Sequence, residues 1–303
     1  MDRISSHFFL LGNGGPTLRR VRDPFQVASA LSRAGIPHPA VRQGIEGVPS
    51  DGSWLLKPLS SAGGRGIRPY CKRGRVLREP CFLQQRIEGQ NCSAVFLGGQ
   101  GVVRLVGVTR QLLGSPRSPF HYRGGIGPLR VSENLRDRLS ELGQVLVSAF
   151  GLLGWFGVDF VLVDDVPWLV EVNPRFTASV ELLELSERRS LLLEHLRVCR
   201  GELPALSWTA PDSGPTAPRV IGKLILYAPR AVLVPNLPFE TWSETDPFRI
   251  PDMADVPPAG TRIAAGQPVL SLLASARDSE HCAARLFKSE EAWLEQIRHW
   301  DKP

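Results

Sequence analysis

The segment from residue 157 to 173 constrains this chain more than any other. Gly157 to Val163 is a run of strand-forming residues, Trp168 to Asn173 is a second, and Asp164-Asp165 suits a tight turn between them. Polar residues interrupt the apolar pattern at Asp159 on the first strand and at Glu171 and Asn173 on the second. Side chains two apart on a strand share a face, so Glu171 and Asn173 point the same way, and Asp159 can lie across the hairpin from them. Two carboxylates within such strands are costly to bury unless something binds them. Hard oxygen ligands of this kind suit magnesium held between protein and nucleotide phosphates; a solvated sheet face is the alternative. Arg175 follows directly after Pro174. It could neutralise a transferring phosphate or an acyl-phosphate oxygen, or pair with a neighbouring carboxylate.

Two further segments carry weaker signals. Trp54 to Pro58 predicts a short strand, and Lys57 near its end precedes a loop of small residues that includes Ser60, Ser61, Gly63, Gly64 and Gly66. A lysine there can reach phosphate oxygens, and backbone N–H groups of the loop can close over them. The order of lysine and glycines matches neither a P-loop nor a dinucleotide-binding fingerprint. The second segment, Gln84-Gln85-Arg86-Ile87-Glu88-Gly89, ends a predicted strand over 81–88. Its backbone can meet an adenine edge, with Glu88 or a nearby polar group for the ribose.

Elsewhere the chain alternates helical and extended patterns. Residues 23–35 predict a helix with Asp23 as N-cap, Pro24 in the first turn and Gly35 as the stop. Leu135, Leu139, Leu142, Val145 and Leu146 give helical spacing over 133–150. Further helices are expected over 180–200 and 279–300, and strands over 92–97 and 101–109. Residues 114–130, rich in Gly, Pro, Ser and Arg, read as a long loop. Residues 204–218 read as a proline-rich linker, and 219–275 as short strands between turns. The apolar run near the N-terminus reads as a buried strand, not a signal peptide.

Composition excludes several classes. No stretch approaches the roughly 20 apolar residues needed to span a bilayer, so no membrane role is expected. The 5 cysteines are scattered without C-x-x-C spacing, which argues against a disulfide framework or zinc and fits a reducing cytoplasm. A net charge of +6 invites a nucleic-acid reading. The arginines are spread along the whole chain without interleaved aromatics, so no nucleic-acid partner is expected.

Taken in order, "LLKPLSSAGGRGI", "FLQQRIEGQNCSAVF" and "GWFGVDFVLVDDVPWLVEVNPRF" resemble the lysine–glycine loop, adenine hinge and metal-binding hairpin of the ATP-grasp superfamily. The resemblance runs from about residue 23 to 200. It implies an α+β fold whose two αβ subdomains grip ATP, followed by a small β-rich domain. On that reading the chain divides into a remnant or linker (1–22), a small subdomain (23–98), a large subdomain (99–203), a linker (204–218) and a C-terminal β-rich domain ending in a helix (219–303). The resemblance implies that Lys57 binds the ATP phosphates and that Ser60 to Gly66 cover them. Gln84, Arg86 and Ile87 would frame adenine, the last two through backbone groups. Asp159, Glu171 and Asn173 would hold two Mg2+ ions, with Mn2+ as a substitute, and Arg175 would contact the transferring phosphoryl group. The activity implied is an ADP-forming carboxylate–amine ligase that works through an acyl phosphate on small-molecule substrates. A non-catalytic nucleotide-binding subunit and a small-molecule kinase stay open.

A narrower resemblance lies in "GVTRQLLG", "FHYRGGIGPL" and the C-terminal "GKLILYAPRAVLVPN". These are similar to the group that contains tyramine–glutamate ligase and to bacterial proteins of tetrahydromethanopterin-dependent one-carbon metabolism. It implies a role in cofactor biosynthesis and an acceptor pocket lined by Arg110, Gln111, Tyr122 and Arg123. Two departures stand out. Asp23-Pro24 occupies the place where many members have an Asp-Lys pair, so that contact is missing or is supplied by Arg22 or another residue. The sequence begins close to where the extra N-terminal αβ domain common in the family would end; either that domain is lost, or a homodimer or partner subunit supplies it, or the chain start is not the native one.

Overall fold

The computed structural model describes residues 2–60, 63–71, 80–115, 118–203, 219–237 and 246–302. Ser61 and the expected linker at 204–218 lie outside the described residues. The chain forms two compact units. The first comprises Met1–Tyr122, Arg130–Val180 and Leu191–Ala210; the second comprises Arg123–Leu129, Glu181–Ser190 and Pro211–Pro303. The C-terminal unit therefore takes in two earlier segments besides the block expected at 219–303.

The first unit opens with α1 (Asp2–Ser5), α2 (Gly15–Val21) and α3 (Pro24–Arg33). Asp23 caps α3: its Oδ1 accepts from the N–H groups of Phe25 at 2.9 Å and Gln26 at 3.3 Å. Strands β1 (Val41–Arg42), β2 (Trp54–Pro58), β3 (Arg68–Pro69) and β4 (Cys81–Gln85) make a small antiparallel sheet in the order β1-β4-β2-β3. Next come β5 (Gln90–Gly99), β6 (Val102–Ser115), β7 (Ser118–Gly127), α4 (Glu133–Phe150), β8 (Gly154–Val163) and β9 (Val166–Asn173). In this unit β6, β5, β8 and β9 lie side by side in that order, all antiparallel. Because β5 pairs with β6 and β8, the change of sheet falls at residues 86–89, ahead of the boundary expected at 98.

The core of this unit lies between the larger sheet and α4. Phe96 and Phe156 stack at 5.1 Å between ring centroids. A Cβ on Gly143 of α4 would stand 2.7 Å from the Phe96 ring, so only glycine allows the helix this close. Ser132 caps α4 by accepting from Leu135 N–H at 3.0 Å, and Gly151 ends it at φ 67°. Along the helix Leu135, Leu139, Leu142 and Leu146 are all buried, the periodicity read from the sequence.

After α5 (Ala178–Glu187) and α6 (Leu192–Cys199), the second unit continues with β10 (Val220–Tyr227), β11 (Val232–Leu233), β12 (Met253–Ala254), β13 (Arg262–Ile263), β14 (Pro268–Ala276) and α7 (Ser279–Arg298). Within it β14 pairs with β12 and β10, and β10 pairs with residues 124–127. Helix α7 packs on β10, where a Cβ on Gly222 would stand 2.6 Å from Leu286. Lys223 donates to Glu181 at 2.9 Å, and Arg123 pairs with Glu290.

The structure corrects several expectations. Residues 114–130 are not a long loop, because β6 runs to Ser115 and β7 covers Ser118–Gly127. The glycines that suggested a loop serve close strand approach: Gly124 has φ 147°, and a Cβ there would stand 1.9 Å from the Lys223 carbonyl oxygen. The helix expected over 180–200 is two helices, broken where Arg188 turns left-handed at φ 52°. The N-terminal apolar run is not a buried strand; Phe8 and Phe9 are each 72% exposed. It pairs with no strand among the described residues, and the chain is anchored instead by Asn13. That side chain accepts from Leu153 N–H at 2.9 Å and donates to the Pro174 carbonyl at 3.2 Å. Among the described residues, no helix is long and apolar enough to cross a membrane.

Leu139 is fully buried at the centre of α4, so Leu139→Ala should cost about 2–5 kcal/mol in urea unfolding. A loss below about 0.5 kcal/mol, the range of surface substitutions, would contradict the core described here.

Candidate functional site

The hairpin β8–β9 carries the site. Its register sets Asp159 opposite Glu171 and Gly157 opposite Asn173, so the three polar side chains share one face. The register shifts next to Asp159, leaving Val170 as an extra residue on β9. Asn173 donates from Nδ2 to Asp159 Oδ2 at 3.0 Å. Its Oδ1 accepts from an Arg175 guanidinium nitrogen at 3.4 Å, and Arg175 also donates to the Phe176 carbonyl at 3.0 Å.

Lys57, at the end of β2, completes the cluster. Its Nζ donates to Gln84 Oε1 at 2.8 Å, and Gln84 Nε2 donates to the carbonyl of Val170 at 3.4 Å. Gln84 thus ties the small sheet to the extra residue of β9. Burial drives the Lys57 ammonium below its ordinary value, against the raising influence of Glu171 and Asp159. Burial first, and the Glu171 charge second, push Asp159 up to about 6, although Ser93, Asn173 and Lys57 hold it down.

The glycine loop lies against β7. Gly63, Gly64 and Gly66 all have positive φ, and a Cβ on Gly64 would stand 1.8 Å from the Phe120 carbonyl oxygen. Tyr122 N–H donates to the Gly63 carbonyl at 3.0 Å, which brings one expected acceptor residue to this loop. Ser60 is exposed at the start of the loop. In the segment after β4, Arg86 N–H donates to the Ser53 carbonyl at 2.8 Å. Ile87 is half-buried, and Arg86 and Glu88 form an exposed ion pair at 3.3 Å. A Cβ on Gly89 would stand 2.5 Å from the Leu162 carbonyl oxygen, so the hinge turns tightly against β8.

Of the residues expected to line an acceptor pocket, Arg110 and Gln111 are neighbours on β6 and so stand on opposite faces of the strand. Gln111 lies on the face that holds Asp159, where its Nε2 donates to Ser93 Oγ at 2.7 Å. Arg110 pairs in register with Cys92 and belongs to the opposite face. Arg123 belongs to the second unit, paired with Glu290. Ser93, which sequence reasoning missed, donates to Asp159 Oδ1 at 2.5 Å and is 5% exposed. The available signal was a lone hydroxyl in the apolar run "CSAVFL".

Among the described residues, no three His, Cys, Asp or Glu side chains gather into a metal cage. Two carboxylates and an amide fit a hard cation that completes its shell with water and phosphate oxygens, as Mg2+ does. The nearby lysine and arginine suit the phosphates themselves.

The ATP-grasp domain model matches residues 21–179, just over half of the chain, and the chain belongs to that family. An uncharacterized protein of Methanocaldococcus jannaschii is 23% identical over 195 residues, which cover 61% of this chain and 48% of that protein. The chain therefore spans about half the length of this relative. The biotin carboxylase domain of Hydrogenobacter thermophilus 2-oxoglutarate carboxylase, solved with MgADP and bicarbonate, has TM-score 0.70 at 15% identity. The match covers 96% of this chain and 70% of that one. L-amino acid ligase from Bacillus licheniformis has TM-score 0.66 at 18% identity, over 98% and 75% of the two chains. Both likenesses are of fold, and they bear out the α+β ATP-grasp expectation.

The raised Asp159 carboxyl sets the sign of a pH dependence. The folded protein holds this proton more tightly than the unfolded chain does. The contribution of Asp159 to the stability of the ligand-free protein should therefore rise as pH falls from about 6 toward the ordinary value of 3.8. Asp159→Asn should flatten that rise in urea melts at pH 7 and pH 5. Identical pH dependence in the two proteins would contradict the assignment.

Proposed function

We propose that this chain is an ATP- and Mg2+-dependent carboxylate–amine ligase. The observation that carries the reading is the convergence of Asp159, Glu171 and Asn173 on one face, with Lys57 near enough to feel both carboxylates. Membership of the ATP-grasp family and the likeness to L-amino acid ligase support it.

In the proposed reaction a substrate carboxylate oxygen attacks the γ-phosphorus of ATP in line. The bond to the β,γ-bridging oxygen breaks, ADP leaves and an acyl phosphate forms. An amine then attacks the acyl carbon, loses a proton and expels phosphate, leaving an amide. Lys57 and Arg175 hold the transferring phosphoryl oxygens, and the loop from Ser60 to Gly66 covers them. Gln84, the Arg86 carbonyl and Ile87 frame adenine, with Glu88 at the ribose. Asp159, Glu171 and Asn173 hold two Mg2+ ions, which supply charge neutralisation at the phosphates, and Mn2+ serves in their place. Catalysis on this account is mainly positioning and charge stabilisation.

The finer part of the proposal is a role in building a one-carbon-carrier cofactor. The segments "GVTRQLLG" and "FHYRGGIGPL", which resemble the tyramine–glutamate ligase group, support it.

Two experiments test this reading. Carboxylates screened with hydroxylamine as the amine should yield a hydroxamate together with ADP and phosphate. A phosphorylated alcohol without hydroxamate would favour a kinase instead. Glu171→Gln should reduce turnover to background while the melting temperature of the ligand-free protein is kept. Wild-type turnover in that variant would sink the metal role of Glu171.

A further inference from the structure

Asp159 is held by more than its hairpin partners. Ser93 on β5 pairs in register with Asp159 on one side and Thr109 on the other. Gln111 lies two residues beyond Thr109, so it shares their face. Its Nε2 donates to Ser93 Oγ at 2.7 Å, and Ser93 Oγ donates to Asp159 Oδ1 at 2.5 Å. The direction of this chain follows from the chemistry. An amide nitrogen only donates, and an ionised carboxylate only accepts, so the single hydroxyl proton of Ser93 must go to Asp159. The other carboxylate oxygen accepts from Asn173 Nδ2 at 3.0 Å. Each oxygen of Asp159 is thereby fixed by one donor, and the carboxylate cannot rotate without losing both bonds.

We infer that Ser93 and Gln111 are positioning residues, a donor relay that fixes the Asp159 carboxylate in the orientation that receives the metal ion. The inference rests on the metal reading of the site given above. It also reassigns Gln111, which acts through Ser93 on the metal carboxylate and not on the acceptor substrate. Neighbouring geometry supports a built arrangement: Ser93 is 5% exposed, and the adjacent Thr109 hydroxyl is bonded to Ser179 Oγ at 2.9 Å. Hydrogen bonds from outside the ligand shell commonly tune metal affinity by roughly 10–100-fold, which sets the size of the expected effect.

The test is Mn2+ binding to the protein in the presence of ATP, followed as the loss of the electron paramagnetic resonance signal of aqueous Mn2+ beyond that caused by the same ATP without protein. Ser93→Ala should weaken Mn2+ binding by about tenfold or more. Ser93→Thr, which keeps the hydroxyl, should restore most of it. Gln111→Met should weaken binding in the same direction by less, and the double variant Ser93→Ala with Gln111→Met should be no weaker than Ser93→Ala alone. Wild-type Mn2+ affinity in Ser93→Ala, or additive losses in the double variant, would overturn the relay while leaving the metal reading intact. If Ser93→Ala does not fold, Gln111→Met alone decides: unchanged Mn2+ affinity would overturn the relay. A wild-type protein that takes up no Mn2+ with ATP overturns the metal reading itself.

Discussion

The first unit is organised around one unfavourable juxtaposition, the carboxylates of Asp159 and Glu171 set opposite each other on neighbouring strands. Like charges at this spacing repel, and burial of Asp159 adds to the cost, while Glu171 is exposed. The surrounding contacts offset that cost only in part. Ser93 and Asn173 bond the two oxygens of Asp159, and Lys57 supplies positive charge, yet Asp159 still holds its proton up to about pH 6. A cation bound here, as the proposed function requires, would offset what remains of that cost. The close-packed face of β5, β8 and α4 behind it gives the rigidity that keeps the carboxylates from drifting apart.

Gln84 shows how the small sheet shares in this arrangement. One end of its amide receives Lys57 and the other bonds the carbonyl of Val170, beside Glu171. A lysine expected to hold phosphates and a hairpin expected to hold metal are thus linked through one buried side chain. The glycine loop is tied in separately, through the close approach of Gly64 to Phe120 and the bond from Tyr122 to Gly63.

Much of this was legible in the sequence, for definite reasons. The hairpin is readable because alternation along a strand fixes which residues share a face, which groups Asp159, Glu171 and Asn173. Helices α3 and α4 were readable from caps and periodicity, both local properties. What escaped depends on partners distant in the chain. The glycine-rich segment around 120–127 forms a strand because β10 pairs with residues 124–127 there, nearly a hundred positions later. The break between α5 and α6 needs a left-handed Arg188, which composition does not reveal. Ser93 was overlooked because its importance lies in which residue stands across from it. The resemblance groups Arg110 with Gln111, and strand alternation places these two on opposite faces of β6.

The central claim is that this arrangement holds ATP together with a divalent cation. Its most direct test is thermal unfolding with ATP and Mg2+ together, with each alone, and with EDTA added. A ligand at about 100 times its dissociation constant adds about 2.7 kcal/mol of stability. The account predicts a clear rise in melting temperature that needs both components and disappears with EDTA. An unchanged melting temperature at millimolar nucleotide and magnesium would contradict it.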